Sequence, residues 1–339
     1  MKKHSSTINP EKYGVPGNKY WLLLLVLLIP IFSIAQINPL ADQYLINKFQ
    51  MNPAIAGTER YSPVTISTRQ QWVGFTKPPT TQAISFHTRI RAKNIRFTPK
   101  GFVNKGDRSF GNIGVGGGAF NYNYGAIAHT GIHLDYAYHV FIGNGKLGFG
   151  LAPVLYQFRL NKTGFILPDG NNTDPLISGA INESILFFDA NVGMHYYDDT
   201  NYAGLSIIQL FQSGVQFGNF SFISEDHMSQ NPDLARTIYT YYGKHLKLTG
   251  DITLEPSVYL KYNSRNGARF DVNTLAYFME TISTGVSFRY QEGLGILAGV
   301  RLDNLEFRYM FELPITSDMP NNFSTHQIML RFVVGQPID

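Results

Sequence analysis

The sequence predicts an all-β fold: a transmembrane antiparallel β-barrel of outer-membrane type, with about fourteen strands. Three observations carry this. From residue 64 to residue 334 the chain is a succession of runs with period two, the strand period. Leu305, Phe307, Tyr309, Phe311 and Leu313 alternate with Glu306, Arg308, Met310 and Glu312; Leu186, Phe188, Ala190, Val192, Met194 and Tyr196 alternate with Phe187, Asp189, Asn191 and His195. Second, many runs reach the ~9–11 residues that cross a bilayer at a tilt. Third, their number is even, which returns both ends of a bacterial barrel to the periplasmic side. A soluble sandwich would bury the apolar face against a second sheet; a barrel turns it to lipid and keeps Asp, Glu, Arg, His and Asn inside.

Taken in order, residues 1–35 read as a secretory signal peptide. A basic leader precedes the apolar Trp21–Phe32, and Ser33-Ile34-Ala35 is a small-x-small cleavage site before Gln36. Residues 36–62 form a periplasmic or lumenal lead-in, 63–335 the barrel and 336–339 a short tail. The expected strands are 64–71, 81–90, 111–120, 127–141, 146–160, 184–197, 201–209, 236–247, 251–262, 268–277, 281–290, 293–301, 304–313 and 325–334. Each is rich in Val, Ile, Thr, Tyr and Phe and bounded by turn residues. If the lead-in is periplasmic, even-numbered connections should be short. Ile142–Gly145, Asp198–Thr200 and Leu248–Gly250 are, whereas the odd-numbered Asn161–Glu183, Leu210–Ala235 and Pro314–Ser324 are long. The second connection, Arg91–Arg108, departs from this parity.

Composition excludes several function classes. The chain has 20 Tyr, 25 Phe and 32 Gly with 15% charged residues, too aromatic and too weakly charged for disorder. Cysteine is absent, so there is no disulfide framework, thiolate metal site or lipid-attachment cysteine. Of the net charge of +4, the first 35 residues carry +3 (Lys2, Lys3, Lys12 and Lys19 against Glu11), so nucleic acid is not an expected partner. Beyond residue 36 no apolar run approaches the ~20 residues of a membrane helix.

Gly143-x-Gly145-x-x-Gly148 matches a dinucleotide pattern, but a strand containing Pro153 follows it where a helix is required, so it reads as a two-strand turn. His129, His133 and His139 share a parity. On a strand, residues four apart are ~13 Å from each other, too far to share a metal with bonds near 2 Å. No Ser/His/Asp set with a nucleophile elbow stands out. Neither a catalytic residue, a cofactor nor a metal is expected. The run Gly111–Gly118, GNIGVGGG, marks either barrel curvature or close approach of the lead-in or a partner's chain. Asn52, Pro53 and Gly57 constrain the lead-in backbone, and Trp72 stands just past the first strand, where interfacial aromatics sit. Arg91, Lys93, Arg96, Lys100, Lys105 and Arg108 make the second connection basic: a solvated loop, or a periplasmic docking surface for an acidic subunit.

Asn52-Pro53-Ala54-Ile55-Ala56-Gly57, Arg69-Gln70-Gln71-Trp72-Val73-Gly74-Phe75 and Thr81-Gln82-Ala83-Ile84-Ser85-Phe86-His87 together resemble the opening of the PorP/SprF family of type IX secretion outer-membrane proteins of Bacteroidota. The likeness continues through Leu134-Asp135-Tyr136-Ala137-Tyr138-His139, Glu255–Tyr262, Asp271-Val272-Asn273, Ser283–Arg289 and Thr325–Leu330, in order, over about residues 36–334. Gln43–Lys48 matches the family's Gln-Tyr-Met-Phe-Asn-Pro only loosely. The resemblance implies an outer-membrane, non-enzymatic accessory that supports export or surface anchoring of a large partner. Such a partner would carry a type IX C-terminal domain, as a gliding-motility adhesin does. It also implies contacts with periplasmic type IX or peptidoglycan-associated subunits and with outer-membrane lipid. The candidate partner-binding residues are Asn52, Pro53, Gly57, Arg69, Gln71, Trp72, Arg91, Lys93, Arg96, Lys100, Lys105 and Arg108. The competing reading is an outer-membrane transport barrel for a small or hydrophobic compound.

Overall fold

The structure is a computed structural model; it describes residues 43–91, 112–125, 127–160, 184–211, 236–263, 267–315 and 323–335. The strands are β1 (Ser62–Val73), β2 (Thr80–Arg91), β3 (Asn112–Tyr124), β4 (Ile127–Ile142), β5 (Gly145–Leu160), β6 (Ser184–Tyr197) and β7 (Asn201–Ile208). They continue with β8 (Thr237–Lys244), β9 (Leu246–Lys247), β10 (Ile252–Asn263), β11 (Gly267–Phe278), β12 (Ile282–Arg289), β13 (Gly293–Leu302), β14 (Leu305–Pro314) and β15 (Ser324–Val334). The short β9 and β8 both pair with β10, so fifteen segments occupy fourteen places around the ring. The break falls at His245, whose N–H leaves the ladder for the Thr200 carbonyl, 2.7 Å away. All neighbours are antiparallel, and β1 pairs with β15 from Ser62↔Val334 to Val73↔Ser324. The sheet therefore closes on itself and has no edge, which is what hydrocarbon demands of backbone polar groups. All fourteen expected strands are present.

The faces are sorted as the alternation requires. On β1, Thr65, Ser67, Arg69 and Gln71 are buried inside while Ile66 is exposed outside. Ile84, Phe86, Leu134, Leu186, Val286 and Ile296 also point outward and are exposed, the arrangement of a barrel solvated by lipid. The lumen, expected to be polar, is only partly so. Leu275, Leu297, Met310, Met329, Tyr239, Tyr241 and Tyr259 occupy inward positions and form a core with Tyr44, Leu45, Phe49, Met51 and Ile55 of the lead-in. An interior surface covered by the chain itself has no need to stay hydrophilic.

The described turns at the end where β1 begins and β15 ends are tight. Gly143–Asn144 joins β4 to β5 with a positive φ at Gly143, so the glycine-rich string is a hairpin turn. Asp198–Thr200, Met279–Thr281 and Asp303–Asn304 are equally brief. The lead-in and these turns share the end that the parity of the connections predicts to be periplasmic. The second connection lies outside the described residues, as do most of the long fifth and seventh.

Candidate functional site

Functional geometry is concentrated in the lead-in, Gln43–Tyr61, which lies inside the barrel. Its local shape follows from its sequence. Asn47 caps the 3-10 turn Lys48–Met51 by accepting from the Phe49 N–H. Asn52 does the same for Pro53–Ile55, its side-chain oxygen 2.9 Å from the Ala54 nitrogen. Pro53 stands at the first position of that turn, where no N–H is needed. Gly57 turns the chain out toward β1 with φ +73°.

The barrel wall is carved to receive this segment. A Cβ added to Gly114 would lie 1.9 Å from the Ala56 carbonyl oxygen, one on Gly150 2.2 Å from the Ala54 nitrogen, and one on Gly193 2.0 Å from Asn52 Oδ1. On Gly116 it would meet the Phe49 ring at 2.8 Å. Gly114 of β3 and Gly150 of β5 thus let the wall meet the lead-in backbone, while Gly116 of β3 and Gly193 of β6 make room for the Phe49 ring and the Asn52 side chain. Of the two readings of the run 111–118, close approach of the lead-in accounts for Gly114 and Gly116.

Polar groups then fasten the seat. Ala56 C=O accepts from His139 Nε2 at 2.7 Å, and Gly57 N–H donates to His87 Nδ1 at 3.3 Å. These bonds place the His87 proton on Nε2, which faces Glu59 Oε1 at 3.8 Å. Arg89 donates to the carbonyls of Gly57 and Thr58, at 2.8 and 2.9 Å. Asn52 Nδ2 donates to the Met194 carbonyl and the Tyr241 hydroxyl, and Ser206 donates to the Met51 carbonyl. Across the lumen Tyr44 donates to Asp271 at 2.6 Å and its ring lies against Tyr259. Glu59 pairs with Arg331.

Lys48 makes the most concentrated contact. Its Nζ is 2.6 Å from Glu255 Oε1 and 2.8 Å from the Tyr202 hydroxyl. Tyr202 and Tyr277 donate to the same carboxylate at 2.6 and 2.7 Å. Burial alone would lower the Lys48 pKa, but the Glu255 carboxylate outweighs it and holds the ammonium charged, with its pKa raised. For Glu59, burial pulls upward while Arg331 and then His87 pull harder downward, leaving its pKa lowered.

Toward the end opposite the start of β1 the lumen holds a second, aromatic cluster of Phe120, Tyr156, Phe158 and Phe187. Opposite it, Glu312 bridges Arg69 and Arg289 at 2.9 and 3.0 Å. Beneath the lead-in a cavity of about 570 Å³ is lined by Lys48, Glu59, His87, His245, Arg301 and Arg331 among others. Among the described residues no group of three or more His, Asp or Glu is arranged to hold a metal ion.

The candidate residues fall into three places. Asn52, Pro53 and Gly57 form the lead-in itself, with Asn52 fully buried, and Arg69 and Gln71 point into the lumen. Trp72 sits on the rim opposite the start of β1 at a register shift between Gln70 and Val73, with φ 54°, edge-on to Phe75 and Tyr124. Arg91 ends β2, while Lys93, Arg96, Lys100, Lys105 and Arg108 lie outside the described residues. Of the three parity-matched histidines, His139 holds the lead-in, His133 bonds Asp135 at 2.6 Å and His129 packs edge-on to Phe158. Sequence reasoning missed Lys48, Glu255, His87, Arg89, Gly150 and Gly193. Glycines in the interior of β5 and β6 were the available signal.

A family model described as "Type IX secretion system membrane protein PorP/SprF" matches residues 33–332. No curated protein matches the chain. Among solved structures it is similar to the Acinetobacter baumannii outer membrane protein Omp33, at 7% identity over 82% of this chain and 100% of that one, TM-score 0.42. It is also similar to the P. putida toluene transporter TodX, at 8% identity over 86% and 94%, TM-score 0.44. A mutant Rh. blastica porin overlaps at 9% identity over 81% and 99%, TM-score 0.32. With its closed, outward-apolar barrel and a family match that runs through nearly every strand, this chain belongs to the PorP/SprF family of type IX secretion system membrane proteins.

Proposed function

We propose that this barrel is a non-enzymatic outer-membrane accessory of type IX secretion. Exported behind a cleaved leader at residues 1–35, it supports the export or surface anchoring of a large protein, such as a gliding-motility adhesin, through protein–protein contacts. The observation that supports this most directly is the lead-in, which fills the lumen and is bonded to strands on every side of the ring. A barrel occupied by its own chain offers its rims, loops and periplasmic turns to partners, rather than a passage to solutes. The basic second connection is the proposed docking surface for an acidic periplasmic subunit.

Affinity purification from detergent-extracted outer membranes, with mass spectrometry, tests this. The expected result is one very large secreted protein together with periplasmic type IX or peptidoglycan-associated subunits. Exchanging Lys93, Arg96, Lys100 and Lys105 for Glu should leave the barrel assembled and reduce recovery of the periplasmic subunit. Recovery of the barrel alone, with steady ion conductance in planar bilayers, would move the assignment to a transport barrel.

A further inference from the structure

The cavity beneath the lead-in holds more positive charge than seating the lead-in uses. It is roofed by Leu45, Lys48, Phe49 and Glu59 and reaches down to Asp198, Asp199 and Glu280 on the turns. It therefore opens at the end of the barrel that parity assigns to the periplasm. Five cations line it: Lys48, Lys247, Arg301, Arg308 and Arg331. Three carboxylates of the lead-in and inner wall answer three of them. Glu255 takes Lys48, Glu59 takes Arg331, and Glu306 takes Arg308 through Nε and Nη2, each at 2.6 Å. Arg301 has only a 3.3 Å contact with the Glu306 oxygen that Arg331 also approaches at 3.8 Å, and its side chain is 43% exposed. Lys247 is exposed and has no carboxylate partner among the described residues. The other acids do not balance these two from within. Asp198 accepts from the Thr200 and Asn201 N–H groups of its own turn, while Asp199 and Glu280 are exposed on their turns.

We propose that this cavity is a socket for an acidic segment of a periplasmic protein, with Arg301 and Lys247 as its anion-binding groups. The inference rests on the accessory reading above and names the part of the barrel that such a partner enters. The volume of about 570 Å³ lies within the ~300–1,000 Å³ of cavities that enclose a ligand. An entering carboxylate finds donors whose charge-assisted bonds are not already made. The Arg301 guanidinium suits this, since it is half in water and presents its remaining donors in a fixed planar fork. Lipid is excluded as the occupant, because the closed sheet leaves no gap through which a headgroup could enter from the membrane. The roof makes the cavity a dead end, which serves no passage of solutes. A polypeptide segment tethered to a body docked on the rim needs no exit, and the tether gives it a high effective concentration. Lys48 and Glu59 form part of the socket, so it has this shape only while the lead-in is seated, and the partner selects that state.

A photo-cross-linking amino acid at Thr253 tests the assignment in the full-length protein within its own outer membrane. Thr253 is a neutral position on the cavity wall, paired with Lys247; Val258, on the outer face of the same strand, is the control. Mass spectrometry identifies what is joined, and heat-modifiable migration checks that each variant is a folded barrel. The expected result is one periplasmic protein joined through Thr253 and not through Val258, at a peptide carrying Asp or Glu. Lys247→Gln with Arg301→Gln should lower the yield about fivefold, as two exposed charge contacts are lost, whereas Lys247→Arg with Arg301→Lys should keep it. An unchanged yield in the Gln pair, or a joined peptide without acidic residues, would overturn the proposal. No cross-link from Thr253, while affinity purification still recovers a periplasmic subunit, would overturn the socket and leave the accessory reading standing. Absence of both cross-link and subunit would overturn the two together.

Discussion

Lys48→Met is the perturbation that most directly asks whether the lead-in is held as the geometry says. It leaves the Glu255 carboxylate, 3% exposed on its side chain, without its cation inside the barrel. Breaking a buried pair from one side costs ~3–5 kcal/mol. Tyr202 and Tyr277 still donate to the carboxylate, so the low end applies. About 3 kcal/mol corresponds to a roughly 100-fold larger population with the lead-in displaced, at ~1.4 kcal/mol per decade. The chain has no cysteine, so Met51→Cys introduces a single reporter at a position 1% exposed. Modification by a membrane-impermeant maleimide then counts displaced molecules. In that background Lys48→Met should raise the modification rate about 100-fold, and adding Glu255→Gln should bring it back to within about tenfold of the parent, since no charge is then stranded. An unchanged rate in Lys48→Met, with the barrel folded, would refute the reasoning, because Lys48 would then not hold the lead-in.

Gly114→Ala should prevent the lead-in from seating, since its Cβ would overlap the Ala56 carbonyl; rapid labelling at residue 51 is expected, at a cost of at least 1–3 kcal/mol for overpacking. Deleting residues 43–58 should give open-channel conductance in planar bilayers where the full chain gives little, and equal conductance of the two would show that the lead-in does not seal the lumen. Glu59 has a lowered pKa, so its contribution is present above its ordinary value of 4.5 and fades as pH falls below it; labelling at residue 51, taken at each pH relative to the same cysteine in unfolded protein because the reactive thiolate itself grows scarcer in acid, should quicken in that range. Arg331→Gln should weaken that acid dependence without removing it, because Arg331 is the chief of several groups holding the Glu59 charge and His87 remains beside it.

Much of the fold was legible because a membrane barrel writes itself into the chain twice, once as period-two alternation and once as the parity of its connections. Leu305–Leu313 declares which side meets lipid without reference to any neighbour, since the bilayer is a uniform solvent and each outward residue answers to it separately. The Asn52–Gly57 conformation was equally readable, because Asn caps, Pro sets φ and Gly admits a positive φ through local backbone energetics alone.

What the lead-in does once shaped was decided only by tertiary structure. Lys48 meets Glu255 across 207 residues, and Gly193 makes room for Asn52 across 141; neither pairing leaves a periodicity in the sequence, because each depends on where ring closure brings the strands. Met310 and Met329 had the parity of lumen residues but the chemistry of a core, and the reason appears only when the lead-in is seen covering them. The alternation determined that the chain would form a wall. Which part of the chain the wall encloses is a matter of packing between segments far apart in sequence, and that is a property of the closed barrel.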